Sequence, residues 1–210
     1  MRTYNITMHQ SRRRKKMVFA QSHCGLVMVS VRRHQMPATY ICNHCGQEHE
    51  GLPTDWGYKL PDDVHALSYL DRYLRSRSNR DLCTLDEGRY FFRALLPIRL
   101  SEQPDNECFT WGVWVEVDKS VHDLYLKSWD EDITNHLGLQ GRLANDIKVH
   151  PGSTGLPVEI QFQPDTDRPK LKLLPEVLHA LAIEQRNGIS GKRHHDILVE
   201  LGHFGAEDDA

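Results

Sequence analysis

The sequence contains no apolar run that approaches the roughly 18 residues of a membrane-spanning helix. Its five cysteines are too few to cross-link a 210-residue chain with disulfides, so we expect cytoplasmic thiols that are reduced or metal-bound. It also lacks the P-loop, the dinucleotide-binding fingerprint, Gly-x-Ser-x-Gly and His-Glu-x-x-His. These absences remove the most easily recognised enzyme classes without excluding an enzyme.

Acidic side chains are absent from residues 1–35, which carry eight basic ones. Residues 36–210 carry 18 basic and 29 acidic side chains, a net charge of −11 within an overall −3. This discontinuity predicts a disordered or non-native basic extension at 1–35, with Met36 as the natural start. A nucleic-acid-binding arm and a targeting segment are the alternatives for 1–35. We expect a single domain over 36–205 and an acidic tail over 206–210.

Strand patterns dominate the middle of the chain. Apolar and polar residues alternate in Tyr90–Leu100 and Cys108–Asp118, which predicts two strands that each bury one face. The connection between them has hairpin length, so an antiparallel pair is predicted. Further strands are predicted at Asp81–Asp86, Asp146–His150, Pro157–Gln163 and Pro169–Leu174, with a loop at Gly138–Asn145.

Helical patterns lie at the two ends of this region. One helix is predicted over Asp62–Arg75, a second begins at Ser120, and Ser190 caps the last. Another begins at Pro175, and its inward stripe is Val177, Leu178, Leu181 and Ala182. The apolar residues near helical spacing in the first helix are Val64, Leu67, Leu70 and Leu74. This order predicts an α+β domain: an antiparallel sheet of about five strands with helices packed mainly on one face.

A small Cys/His metal knuckle is predicted near the N-terminal end of the domain. Cys42 and Cys45, followed by Gly46, can hold one ion because the glycine allows a tight turn that points backbone N–H groups at sulfur. A structural zinc takes four ligands, and His49 and Cys83 are the next candidates. We therefore predict zinc bound by these two residues together with Cys42 and Cys45. A redox dithiol and ordinary reduced cysteines are the alternatives.

Two further groups could carry function. His179 and Arg186 share one helix face and Glu184 lies between them, so the three could form an active site or contact a ligand or partner. The alternative is that they are solvated charges and that Arg186 pairs with an acidic residue on a strand. Trp111 belongs to the apolar face of its strand and is predicted to be core. Trp114 lies on the opposite face, where it packs under a helix or lines a groove, and is predicted to be the more exposed of the two.

Several segments together resemble a bacterial family with a domain of unknown function, numbered 2199. They are Cys42-x-x-Cys45-Gly46-x-x-His49, Leu52-Pro53, Asp81-Leu82-Cys83, Phe91-Phe92-Arg93, Trp111-Gly112-Val113-Trp114-Val115, Arg168-Pro169 and His179 to Ile189. The resemblance covers about Tyr40 to His195, and the Trp-Gly-Val-Trp and Glu-Gln-Arg-x-Gly-Ile segments are its most specific parts. The family usually has His-Pro-Leu-Ala where this chain has His179-Ala180-Leu181-Ala182. The resemblance implies a fold class and a bacterial context, and no reaction.

Two classes of function are compatible with these patterns. The first is a zinc-stabilised binding or interaction module whose acidic surface meets a protein partner with a basic surface. The charge of −11 argues against nonspecific binding of the domain to nucleic acid, and no membrane partner is expected. The second is a hydrolase that uses the metal or the group of His179, Glu184 and Arg186. A closed set of four protein ligands favours the first class, because catalytic zinc keeps one position open.

Overall fold

In a computed structural model of the protein, residues 40–41, 46, 48–49, 51–101, 107–164 and 167–203 are described. The chain divides into two units, Met1–Gln35 and Met36–Ala210, and every described residue belongs to the second. The extension predicted at 1–35 and the tail predicted at 206–210 therefore lie outside the described residues.

Short strands and helices flank two long central strands. The described strands are β1 (Tyr40–Ile41), β2 (Glu48–His49), β3 (Asp55–Gly57), β4 (Ser76–Ser78), β5 (Leu82–Leu85), β6 (Arg89–Arg99), β7 (Cys108–Val117), β8 (Leu139–Leu143), β9 (Pro157–Gln161) and β10 (Lys170–Leu173). The described helices are α1 (Asp62–His65), α2 (Tyr69–Arg75), α3 (Lys119–Lys127), α4 (Ala180–Asn187) and α5 (Gly191–Glu200).

The main sheet closes into a five-stranded barrel in the order β6-β7-β8-β9-β10, with β10 returning to β6. Four of these pairings are antiparallel, and the closing pair is parallel, with Lys170 opposite Leu95. Strands β5 and β4 extend the sheet from β6, and β3 runs parallel to β7. The α+β class is confirmed. The predicted antiparallel sheet of about five strands is corrected in one respect: β10 pairs in parallel with β6, from a distant part of the chain, and closes the sheet into a barrel.

The barrel interior holds the main core. Alternate residues of β6 and β7 point inward, and Phe92, Leu96, Phe109 and Trp111 have no exposed surface. Each fully buried side chain of this size stabilises the fold by about 1.5–3 kcal/mol relative to leaving it in water. The period of two in the sequence therefore identified the inner face correctly, including Trp111.

A second apolar cluster covers the outer face of β5, β6 and β7. Its buried members are Val64, Cys83, Leu85, Phe91, Trp114 and Ala144. Trp114 is fully buried, and its indole Nε1 donates a hydrogen bond to the carbonyl of Tyr58 at 3.2 Å. The predicted greater exposure of Trp114 is therefore wrong, because α1 and the chain before it pack on this face. Trp114 is not part of a surface that a partner could reach.

The helix predicted over Asp62–Arg75 is broken into α1 and α2 by the turn at residues 66–68. Ser68 caps α2: its Oγ accepts a hydrogen bond from the backbone N–H of Asp71 at 3.1 Å and donates to that carboxylate at 2.7 Å. Because of this break, the predicted apolar stripe is buried only at its start. Val64 is buried in α1, whereas Leu70 and Leu74 in α2 are 63% and 61% exposed.

The helix predicted from Pro175 begins later, at Ala180, because Pro175 and Glu176 form a turn that is closed by a hydrogen bond from the N–H of Val177 to the carbonyl of Leu174. Val177, Leu181 and Ala182 are buried as predicted. Leu178 is 91% exposed, so its predicted inward position is wrong. His179 occupies the N-cap of α4, which puts Ala180 at the first helical position, where the rigid ring of proline is well tolerated.

Candidate functional site

The predicted metal knuckle lies in the segment between two paired strands. Strands β1 and β2 pair antiparallel with Tyr40 opposite His49, so the segment with Cys42 and Cys45 connects them. Gly46 has φ +69°, the left-handed conformation expected of a glycine after the second cysteine of such a turn. Both cysteines and the side chain of His49 lie outside the described residues.

Cys83, the remaining predicted ligand, lies in an apolar environment. It is fully buried among Phe91, Trp114 and Leu85, and burial raises the pKa of its thiol to about 11. Its Sγ has one weak contact, to the carbonyl of Thr84 at 3.8 Å. Within the part of the chain that the structure describes, no three His, Cys, Asp or Glu residues are grouped to hold a metal ion. The other three predicted ligands lie outside this search, so the zinc site stays a prediction.

His179 and Arg186 do not assemble with Glu184 into one site. His179 accepts a hydrogen bond at Nδ1 from the N–H of Leu181 and contacts the carbonyl of Pro151 through Nε2 at 3.1 Å. Arg186 donates to the carbonyl of Val177 at 3.3 Å. Both side chains therefore fix the entry of α4. The predicted pairing of Arg186 with an acidic strand residue is wrong, since its acceptors are main-chain carbonyls.

Glu184 instead belongs to a partly buried charged cluster. Its Oε1 accepts from Arg193 Nε at 2.7 Å, and its Oε2 lies 2.9 Å from His150 Nε2, an ion-pair distance without hydrogen-bond alignment. The His150 ring is buried, and its Nδ1 lies 2.7 Å from the carbonyl of Val149. Burial, reinforced by the charge of Arg193, lowers the pKa of His150 to about 4.

This cluster does not provide a general base. A catalytic histidine needs one ring nitrogen that faces a substrate, and both nitrogens of His150 face protein groups. The side-chain amide of the neighbouring Gln185 is likewise occupied by hydrogen bonds to the main chain. It donates to the carbonyl of Leu171 at 2.9 Å and accepts from the N–H of Leu173 at 2.8 Å. The Glu-Gln-Arg segment thus anchors α4 to the barrel, and this arrangement weighs against the hydrolase alternative at this group.

The most unusual surface is formed by α2 and β4, and the sequence patterns did not identify it. No residue of α2 is buried. Tyr69, Leu70, Tyr73 and Leu74 are 87%, 63%, 71% and 61% exposed, and with the strand Ser76–Ser78 they form what we call the α2–β4 surface. Four large apolar side chains on two turns of helix are far more than the scattered exposed residues normal for a soluble protein.

Among the strands that the structure describes, β4 forms one edge of the main sheet beside this helix. Arg77 lies opposite Thr84 of β5, and main-chain bonds from Asn79 to Leu82 and from Asp86 to Arg75 flank that pair. The antiparallel alternation therefore turns the N–H and C=O of Ser78 away from β5. Between this edge and α2 lies a groove of about 500 Å³. It is lined by Tyr69, Arg72, Tyr73, Leu74, Ser76, Arg77 and Ser78.

The charge of the α2–β4 surface is opposite to that of the domain. Arg72 donates to the carbonyls of Val64 and His65, and Arg77 donates to those of Tyr73 and Ser76. These acceptors are neutral, so the two positive charges are not cancelled. Arg75, in contrast, forms a bidentate ion pair with Asp86 at 2.6–2.7 Å. Asp71, exposed on α2 with its carboxylate hydrogen-bonded to Ser68, contributes one negative charge. The surface is therefore apolar with a small net positive charge, whereas residues 36–210 as a whole carry −11.

These features define an α+β protein with a closed five-stranded barrel, a partly buried structural charge cluster and an exposed apolar helix beside an edge strand of the described sheet. The chain belongs to the family described as "Uncharacterized protein conserved in bacteria (DUF2199)", which matches residues 41–189. No curated protein and no solved structure matches the chain. None of the described helices is long and apolar enough to cross a membrane.

Proposed function

We propose that this protein is an interaction module that binds an acidic, partly apolar segment of a partner protein at the α2–β4 surface. The observation that carries the proposal is the exposure of Tyr69, Leu70, Tyr73 and Leu74 beside an open strand. An extended segment could add a strand to β4 through the main-chain groups of Ser78 and place alternate side chains against α2. Covering the apolar side chains would supply most of the binding free energy.

Charge complementarity decides what kind of segment fits. The uncompensated guanidinium groups of Arg72 and Arg77 favour carboxylates. A second copy in a two-fold arrangement would bring the same arginines face to face, which is unfavourable. The acidic remainder of the domain keeps its predicted preference for basic surfaces, so an acidic segment would be directed to the α2–β4 surface.

The test begins with peptides selected by display against the intact protein. The selected peptides are expected to combine carboxylates with aromatic or aliphatic residues. The double variant Leu70→Ser/Tyr73→Ser should weaken their binding on the order of 100-fold, because each truncated anchor is worth roughly 1–2 kcal/mol. The free energy of unfolding should change by no more than about 0.5 kcal/mol, since such surface positions contribute little to stability.

Leu137→Ser/Leu178→Ser is the matched control, because these two leucines are 82% and 91% exposed away from the surface. It should bind the selected peptides like the unaltered protein. Equal loss in the control, or no loss in either variant, would refute the proposed site. A dimer that dissociates in Leu70→Ser/Tyr73→Ser, seen by sedimentation in the absence of peptide, would assign the surface to a second copy instead.

We further propose that a structural zinc stabilises this module at the β1–β2 hairpin. The place of Cys42 and Cys45 in the chain between the paired strands β1 and β2, and the conformation of Gly46, support it. Purified protein is expected to contain about one zinc per chain, measured by atomic emission. Cys42→Ser should lose the metal, and Cys108→Ser should keep it. Metal-free protein from zinc-containing medium, with all thiols titrating freely, would refute the site.

Two variants decide the rest of the ligand set. Loss of zinc in Cys83→Ser would support the four ligands Cys42, Cys45, His49 and Cys83. If this variant keeps its zinc, Cys83 is not one of the ligands. His49→Ala should also lose the metal. Tight retention in that variant would leave water or another side chain as the fourth ligand, which is the arrangement of catalytic zinc.

A further inference from the structure

A second opening, distinct from the α2–β4 surface, lies where the start of β10 meets the end of α3. It is a cleft of about 520 Å³, within the size range of small-ligand pockets. Its apolar wall is formed by Tyr125 and Trp129, whose ring centroids are 5.2 Å apart. Tyr125 is held rigidly because it stacks on Phe162 with an interplanar angle of 4°. Trp129 is 50% exposed, so its ring is available to a ligand.

The polar wall of the cleft carries more positive than negative charge. Arg80, Arg168 and Lys170 line it together with Asp81 and Asp167. Arg168 is already paired with Asp81 at 2.7–2.8 Å. Arg80 and Lys170 are exposed and form no ion pair with any residue that the structure describes. The cleft thus presents two available cations.

Arg93, which interacts electrostatically with Arg80 and Arg168 but does not line the cleft, adds to this positive charge. The buried Nε of Arg93 has no hydrogen-bond partner among the described atoms. Burial lowers the pKa of Arg93, and the positive charges of Arg168 and Arg80 act in the same direction. Three arginines, Arg80, Arg93 and Arg168, interact around the carboxylate of Asp81, and their mutual repulsion is unfavourable for the isolated protein. An anion in the cleft would offset that repulsion.

We propose that this cleft binds a small ligand in which one anionic group is attached to a planar ring. The ring would lie against Trp129, and the anionic group within reach of Arg80 and Lys170. The free carboxylate of Asp167 on the same wall and the net charge of −11 disfavour a polyanion such as nucleic acid. A mononucleotide or an aryl phosphate has the required chemistry.

Titration calorimetry and tryptophan fluorescence test this assignment with three probes: adenosine monophosphate, phenyl phosphate and inorganic phosphate. The two ring-bearing probes are expected to bind at least about tenfold more tightly than phosphate, because stacking on an aromatic side chain is worth roughly 1–3 kcal/mol. They should also quench fluorescence, and Trp129→Leu should abolish the quench and weaken binding. Equal affinity for inorganic phosphate would overturn the role given to Trp129.

Variants that remove a positive charge test the predicted contacts with the anionic group of the ligand. Arg80→Gln and Lys170→Gln should each weaken both ring-bearing probes by about tenfold, the size of one charge-assisted contact. Lys172→Gln is the matched control, because Lys172 is exposed on the same face of β10 and does not line the cleft. Unaltered circular dichroism would establish that the variants fold. No saturable binding at millimolar probe, or losses as large in Lys172→Gln, would overturn the proposal.

Discussion

Replacing Trp114 with alanine should lower the free energy of unfolding by about 3–5 kcal/mol, the range for deleting a large buried ring. The indole is fully buried between α1 and the outer face of the barrel, together with Phe91 and Val64. The loss leaves a cavity and removes the hydrogen bond to the carbonyl of Tyr58. Urea denaturation measures the change, and Trp111→Ala should give a loss of similar size.

Trp129→Ala is the control for this prediction, because that ring is 50% exposed. Trp129→Ala should lower the free energy of unfolding clearly less than Trp114→Ala does, since exposed apolar groups contribute little to stability. Trp114→Phe should fall between the two, because a smaller ring fills part of the space. A cost of less than about 1 kcal/mol for Trp114→Ala would contradict the outer core and restore the exposed position predicted from strand alternation.

Replacing Asn145 with aspartate should be more damaging than a change of three atoms suggests. The Asn145 side chain is fully buried; its Nδ2 donates to the carbonyl of Leu60 at 2.9 Å and to Asp62 Oδ1 at 2.8 Å. Its Oδ1 accepts from the N–H of Trp114 at 2.8 Å. A carboxylate would leave the carbonyl of Leu60 without a donor and face a second carboxylate. We expect a loss of about 3 kcal/mol or more at neutral pH.

The pH dependence of the stability of Asn145→Asp distinguishes the effect of the introduced charge from the effect of the lost hydrogen bonds. Burial and the nearby Asp62 should raise the folded-state pKa of the introduced carboxyl above its unfolded value of about 3.9. The variant should therefore be least destabilised below about pH 4 and lose stability as pH rises through the folded pKa. Asn145→Ala, which introduces no titrating group, serves as the control. Equal pH profiles for the two variants would contradict this account.

Alternation in β6 and β7 was sufficient to predict both strands, their antiparallel pairing and the burial of Trp111. The closure of the barrel was not predictable from local pattern, because it depends on the parallel pairing of β10 with β6, which lies about 75 residues earlier in the chain and is joined there at Lys170 and Leu95. Strand β8 was also missed: Gln140, Gly141 and Arg142 do not resemble a strand. It forms because Gly141 fits against Val115, where a Cβ would lie 2.6 Å from a methyl group.

The α2–β4 surface was hidden by a pattern with two interpretations. Val64, Leu67, Leu70 and Leu74 fit one continuous helix, and a continuous helix would bury them all. The spacing of Ser68 and Asp71 was the available signal, because a serine followed three residues later by an acidic residue marks a new helix start. Recognising Ser68 as a helix cap would have predicted α2 as a separate helix with its apolar residues exposed.

The charge cluster around Glu184 was missed for a different reason. Its partner His150 lies in an irregular turn, where the predicted strand Asp146–His150 is reduced to an isolated bridge between Ile147 and His150. No local spacing relates that turn to α4. The hydroxyl of Ser153 holds the turn by accepting a hydrogen bond from the N–H of Ile147 at 2.6 Å, and such a contact becomes visible only in three dimensions.

Amide hydrogen exchange of the protein with and without a selected acidic peptide tests the interaction-module proposal most directly. Binding at the α2–β4 surface predicts slower exchange across residues 69–78, with the amide of Ser78 slowed about tenfold or more, because its N–H would gain a strand partner. The same peptide should leave the exchange of Leu70→Ser/Tyr73→Ser unchanged. Slowed exchange in another region of the domain, with residues 69–78 unaffected, would contradict the proposal.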